Sequence, residues 1–387
     1  MIKIDSVEIF LCKFKSSGLN YSTWVTTDRE VLIYKIVSGD YVGWGESTLN
    51  YRCLGVAKRL ARKLVGRDAS KKESILDPAF LATTLAYQYY AGFNRRFRQV
   101  REGFSQALWD LHGKVKNKPF AEMISISDFS ACDFQRGMPV IHVYSPSEMG
   151  RIAEIWIEKG FRTFKIKLRG EAVQDIEAMR VIKSLGSDVK ILIADANYGY
   201  KKTTELKRAA EGFRECGLEY LQNPIRKPFW KYRGLSKSLG IKFTSDNTAY
   251  WPNTRRVIGL QEAELINLHP NIMGGVDNTL KLVSYARKSG IPTITGGSGF
   301  FGIQDKCFQK MSFCINSSFP TENIGLQNYF CSDLDQYYKY EFERLSILTN
   351  DLEVSDGKIF DRRESGFGID VNISALERVT KTKFVYT

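Results

Sequence analysis

Residues 164–170 read FKIKLRG, and the fold turns on why Lys165 and Lys167 stand two apart among Phe164, Ile166 and Leu168. In a strand, residues two apart point to the same face. On the exposed edge of a sheet, a pair of lysines discourages unwanted pairing. In a strand covered on both faces, each ammonium needs a partner or a task. The surroundings of the segment decide between the two.

Outward from it, residues 139–320 repeat one pattern, a short apolar strand followed by an amphipathic helix. The strand candidates are 139–145, 161–168, 189–197, 218–224, 241–247, 264–270, 291–297 and 313–319, so their ends recur every 23 to 29 residues. Helical stretches such as 172–186, 203–217 and 276–290 lie between them and end in glycine, a common helix stop. Alternating strands and helices build parallel sheets with right-handed crossovers, and eight units predict a (β/α)8, TIM-like barrel. An open doubly wound sheet is the rival; it uses fewer units and one switch point. A barrel has no edge, which disfavours the gatekeeper reading of the lysines, and it puts functional side chains at the C-terminal ends of many strands. Polar residues gather at those ends: Lys165 and Lys167, Asp195 and Asn197, Asn223, Asp246 and Asn247, Asn267 and His269, then Thr295 before a glycine pair. Each also has a plainer reading. Asp195 and Asp246 suit helix capping, Asn223 before Pro224 suits a turn, and His269 suits a buried structural role.

The flanks differ. Residues 1–50 read as a strand meander and 55–118 as helical, and short strands return after 349. We expect an α+β capping domain from residues 1–128, the barrel over 129–348, and a C-terminal segment, 349–387, that completes the cap. Loops 16–24 and 47–55, rich in Ser, Gly, Asn and Tyr, suit a lid over the barrel mouth, with Tyr21 and Trp24 as candidate substrate contacts.

The 56 Lys and Arg against 43 Asp and Glu give a net charge of +13. The basic residues are dispersed and form no recognised nucleic-acid motif, so attraction of small anions is expected rather than specific nucleic-acid binding. No run of about 18 apolar residues suggests a membrane span. The opening residues alternate like a strand rather than a signal peptide, and the seven cysteines are scattered, which fits a cytoplasmic protein. Gly297, Gly299 and Gly302, with Glu322 further on, match a dinucleotide fingerprint on paper. They fall on the seventh unit rather than a first βαβ. A turn that cups an anion with backbone N–H groups is the better reading, which makes Gly297 and Ser298 candidate substrate contacts.

Five segments together resemble the enolase superfamily, in its mandelate racemase and muconate lactonizing branch: YVGWGES (41–47), ALWDLHGK within 107–114, FKIKLRG, IADANYGY (193–200) and VSDGKIFDRRESGFGIDV (354–371). The resemblance spans nearly the whole chain. It implies an enzyme that abstracts the proton α to a carboxylate through an enediolate held by Mg²⁺. By position it assigns Lys167 as base and Lys165 as its partner on the substrate carboxylate. Asp195, Asn223 and Asp246 become the metal ligands. His269 stands where some members carry a second base, while Asn197 and Asn247 join the substrate contacts. It also implies a homo-oligomer, dimer or octamer, and a small carboxylate substrate such as an acid sugar or amino-acid derivative. Dehydration, racemisation or epimerisation, and cycloisomerisation are all compatible. The chain departs from the family in three places. Asn223 stands for an expected Glu, strand seven lacks a histidine, and the strand-eight acid is not placed, although Glu322 is near. These departures leave a binding-only relative as the alternative function.

Overall fold

The computed structural model describes the chain apart from residues 1, 15–18, 21–24, 27–28, 50–52, 77–94, 125–131, 227–230, 247–255, 270–272, 298–300, 316–318, 325–346 and 351–352. Tyr21, Trp24, Asn247 and Ser298 lie outside the described residues.

The N-terminal region supplies β1 (Ser6–Phe14), the short pair β2 (Leu19–Asn20) and β3 (Val25–Thr26), then β4 (Arg29–Ser38) and β5 (Tyr41–Leu49). β1, β4 and β5 form an antiparallel sheet on which the helices Cys53–Leu64 and Arg95–Lys116 pack. The glycines of YVGWGES have a packing reason: a Cβ on Gly43 or Gly45 would strike the backbone of the long helix at Ala107 or Gly103. From that helix, buried Asp110 accepts the N–H groups of Trp44 at 3.2 Å and Phe367 at 3.0 Å, and the Lys114 ammonium at 2.8 Å. One carboxylate thus ties the sheet, the helix and the C-terminal segment together.

After β6 (Phe134–Arg136) come the barrel strands β7 (Val140–Ile141), β8 (Thr163–Lys167), β9 (Lys190–Asp195), β10 (Tyr220–Gln222), β11 (Lys242–Ser245), β12 (Leu265–Leu268) and β13 (Thr293–Thr295). They pair in parallel in strict sequence order. An open doubly wound sheet would reverse order at a switch point; none occurs among the described residues. The ring closes at Thr321, which bridges Gly137, while the Glu322 N–H reaches Thr295 O at 3.1 Å. Here the structure corrects the sequence reading. The eighth strand was expected at 313–319, but residues 313–315 are the last turn of the helix Ile303–Ile315. Phe308, Met311 and Ile315 recur at helical spacing and are buried, so packing overrides the local strand preference.

The cross-over helices start and stop on ordinary signals. In the helix Pro146–Glu158, Ser145 and Glu148 make a reciprocal capping box and Pro146 fixes the first turn. The remaining chain forms β14 (Glu353–Ser355) and β15 (Lys358–Phe360), which pairs with β6, a short helix Ile373–Val379, and β16 (Thr380–Tyr386). β16 pairs with β1 at the edge of the N-terminal sheet, so the two ends of the chain share one sheet. The stretch 47–55, expected as a lid loop, begins as the end of β5 and finishes as the start of the helix Cys53–Leu64.

Candidate active site

The barrel interior is layered by strand parity. Ile193, Tyr220 and Leu265 pack with Met138 in one apolar layer. Two residues further along each strand, on the same face, stand Asp195, Gln222 and Asn267. Parallel register sets Lys167 beside Asp195 and Asp195 beside Gln222. The polar row at the C-terminal end of the ring therefore follows from alternation: apolar side chains plug the barrel below, and the next inward position opens to the mouth.

The ammonium groups of β8 are both paired. Lys167 Nζ lies 2.6 Å from Asp195 Oδ2. Lys165 Nζ lies 2.8 Å from Glu322 Oε1 and 3.8 Å from Asp195 Oδ2. Burial pushes the Asp195 carboxyl up, but the adjacent Lys167 and Lys165 outweigh it and hold the acid below the usual carboxylate range. Asn197, with φ of 43°, curls back so that its N–H donates to Asp195 Oδ1 at 2.9 Å. Asp246, just past β11, accepts the amides of Gln222 at 3.1 Å and Asn223 at 2.9 Å. Asn267 donates to Glu322 at 2.7 Å, and its Oδ1 is buried with no hydrogen-bond partner among the described residues. Gly296 makes room for that amide; a Cβ there would sit 2.5 Å from Asn267 Oδ1.

His269 follows β12 directly. Desolvation lowers its pKa, the carboxylates of Asp246 and Glu322 oppose the shift, and Lys165 and Lys167 add to it. The ring thus sits within electrostatic reach of both lysines and two of the acids. Gly297 lies at the end of the seventh strand, near the Glu322 backbone and the Asn323 and Asp305 side chains.

Glu322 and Gln222 join the site through the tertiary structure. Glu322 is the buried acid of the eighth position, and its register is set by ring closure at Thr321. Gln222, 1% exposed, is the β10 residue in register with Asp195, whereas Asn223 lies one step beyond with φ of 45°. The signal for Gln222 was available: Tyr220 and Gln222 share a strand face, as Ile193 and Asp195 do.

The loops that carry these groups are themselves anchored. Asp175 accepts the N–H groups of Arg169 at 2.7 Å, Gly170 at 3.0 Å and Glu171 at 3.1 Å, and the Tyr200 hydroxyl at 2.6 Å. It therefore joins the loops that follow β8 and β9. Glu46 of β5 accepts Phe301 N–H at 2.8 Å and Gln304 N–H at 3.0 Å at the start of the helix Ile303–Ile315, and so clamps the N-terminal sheet to the barrel.

The donor chemistry fits a small hard cation. Asp195, Asp246 and the Gln222 amide oxygen are all oxygen donors, the kind Mg²⁺ takes in small number while keeping waters. Position 222 is an amide, and no cluster of three His, Cys, Asp or Glu suited to a metal occurs among the described residues. No helix among those residues is long and apolar enough to cross a membrane.

Known proteins share this plan. O-succinylbenzoate synthase of Bacillus subtilis is 23% identical over 402 residues, covering 100% of this chain and 99% of its own. The crystal structure of N-succinyl Arg/Lys racemase from Bacillus cereus superposes with a TM-score of 0.82 at 17% identity over 100% of both chains. A dipeptide epimerase from Cytophaga hutchinsonii, solved with Mg and the dipeptide D-Ala-L-Val, superposes with a TM-score of 0.78 at 17% identity, again over 100% of both chains. The family model described as "Enolase C-terminal domain-like" matches residues 148–375, more than half of the sequence. A curled parallel sheet of seven strands bridged at Thr321, a cap built from both chain ends and this family match place the chain in the enolase superfamily, among the lyases and isomerases related to mandelate racemase and muconate lactonizing enzyme.

Proposed function

We propose that this chain is a Mg²⁺-dependent enzyme that abstracts the proton α to the carboxylate of a small substrate, with an N-acylated or peptidic amino-acid derivative as the favoured class. The supporting observation is the convergence of two buried ammonium groups with Asp195 and Glu322 at the mouth of the barrel. Lys167, once its ammonium has released a proton to solvent, takes the α-proton from one face as the neutral amine. Lys165, held 2.8 Å from Glu322, orients the substrate carboxylate. On the other face His269, whose neutral form is favoured, takes a proton, and the imidazolium so formed is the acid that returns one. Asp195, Gln222 and Asp246 would hold the cation, and Asn223 serves Asp246 as a hydrogen-bond donor. When bound, the cation supplies positive charge against the oxyanion that develops as the α-proton leaves. A general base contributes about 10²–10⁴-fold.

The test is exchange of the α-proton in D₂O with Mg²⁺, followed by proton NMR, on N-succinyl-L-arginine, L-Ala-L-Glu and related probes. Wild type exchanges the proton of at least one probe. Lys167→Arg keeps a cation beside Asp195 but no usable base, and loses exchange. Full exchange by that variant overturns the assignment of the base. No exchange on any probe, with no Mg²⁺ uptake at millimolar concentration either with or without a carboxylate present, supports the binding-only alternative, which the amide at position 222 motivates.

A further inference from the structure

We infer that Gln222 makes cation binding conditional on an anion, so that this site takes a divalent metal weakly by itself and firmly together with a carboxylate. The inference rests on the function proposed above and specifies how its site is loaded. Gln222 is 1% exposed and stands in register with Asp195. Its Nε2 donates to Asp246 Oδ2 at 3.1 Å, and its Oε1 accepts Asn267 Nδ2 at 3.4 Å. It is therefore the neutral donor held between the two candidate acidic ligands, and its own amide groups are already engaged.

Charge counting gives the consequence. In the resting cluster, before Lys167 gives up its proton to act as base, Asp195, Asp246 and Glu322 supply three negative charges, and Lys165 and Lys167 supply two positive ones. These five groups sum to −1. A divalent cation takes that sum to +1, and a monocarboxylate then brings it to zero. Buried charge that lacks a counter-charge is costly, so each ligand binds better after the other. A carboxylate at position 222 would make the cluster −2, which a divalent cation neutralises alone. Coupling between two ligands is reciprocal, so the metal must strengthen carboxylate binding by the same factor.

The experiment titrates the full chain with Mn²⁺ and reads free ion by electron paramagnetic resonance, with and without millimolar lactate as the carboxylate probe. In wild type, lactate tightens Mn²⁺ binding by about tenfold or more, within the usual span of coupling energies. Gln222→Glu binds Mn²⁺ at least about tenfold tighter than wild type without lactate, and its response to lactate shrinks. Asn223→Asp, one residue past the register position, changes Mn²⁺ affinity less than Gln222→Glu does. Equal wild-type affinity with and without lactate overturns the inference and needs no variant, so a misfolded Gln222→Glu leaves it testable. No gain in Mn²⁺ affinity in a folded Gln222→Glu also overturns it. The readout is separate from turnover: α-proton exchange without coupling sinks this inference alone, and coupling without exchange sinks the proposed reaction alone.

Discussion

Replacing Lys165 and Glu322 one at a time, then together, tests whether the site is the desolvated ion cluster described. The Nζ–Oε1 distance is 2.8 Å, and the two side chains are 3% and 4% exposed. At an effective dielectric of about 20 the gross attraction is about 6 kcal/mol; the second contact, from Lys165 to Asp195 at 3.8 Å, adds about 4 kcal/mol. Desolvation of both ions offsets most of this, and breaking such a pair from one side typically costs about 3–5 kcal/mol. Lys165→Met leaves Glu322 with the Asn267 amide at 2.7 Å, and Glu322→Leu leaves Lys165 with Asp195. Because partial partners remain, each single change should cost about 3 kcal/mol, the low end of that span. The double variant removes both charges and should cost at least about 2 kcal/mol less than the sum of the singles. Urea unfolding at neutral pH in EDTA, followed by fluorescence and circular dichroism together, measures all four corners of the cycle. Additivity within about 0.5 kcal/mol would refute the reasoning, because it would mean that Lys165 and Glu322 are solvated independently.

Three further outcomes are expected. Burial pushes Glu46 up to about 7 from an ordinary 4.5, although the N–H groups of Gln304 and Phe301 oppose the shift. The folded state then holds a proton that the unfolded state has lost. Its stabilising contribution is complete below 4.5 and disappears as pH rises through 7, by about 3 kcal/mol, so Glu46→Gln should flatten stability across that window in denaturant titrations. Gly296→Ala drives a Cβ to 2.5 Å from Asn267 Oδ1 and dislodges that amide from Glu322, so α-proton exchange should fall by about 10²-fold with the circular dichroism spectrum unchanged. Asp175→Ala strips the acceptor from three backbone N–H groups and the Tyr200 hydroxyl and should cost about 3 kcal/mol in urea; a loss under about 1 kcal/mol would show that the loops after β8 and β9 hold themselves.

Much of the architecture is a local property of the chain. The recurrence of apolar strand and glycine-stopped helix points to a parallel ring, because neighbouring parallel strands need crossovers of that length, usually helical. Strand parity alone puts Lys165 with Lys167, and Ile193 with Asp195, on shared faces. These features need only neighbours in sequence, so they are legible there. Three features depend on contacts between distant segments. Among the described residues the eighth strand position is Thr321, which sits opposite Gly137 through backbone bonds to Arg136 O and Met138 N–H while Glu322 N–H reaches the β13 end, and nothing near residue 321 announces it. The choice of Gln222 over Asn223 is a matter of register: two adjacent amides look alike in sequence, and only pairing with Asp195 shows which one stands level with it. Glu322 becomes a site residue only because closure of the ring brings it to Lys165 across 157 positions of chain. Periodicity records which face a side chain takes; register and closure decide which side chains meet, and those are set by the whole barrel.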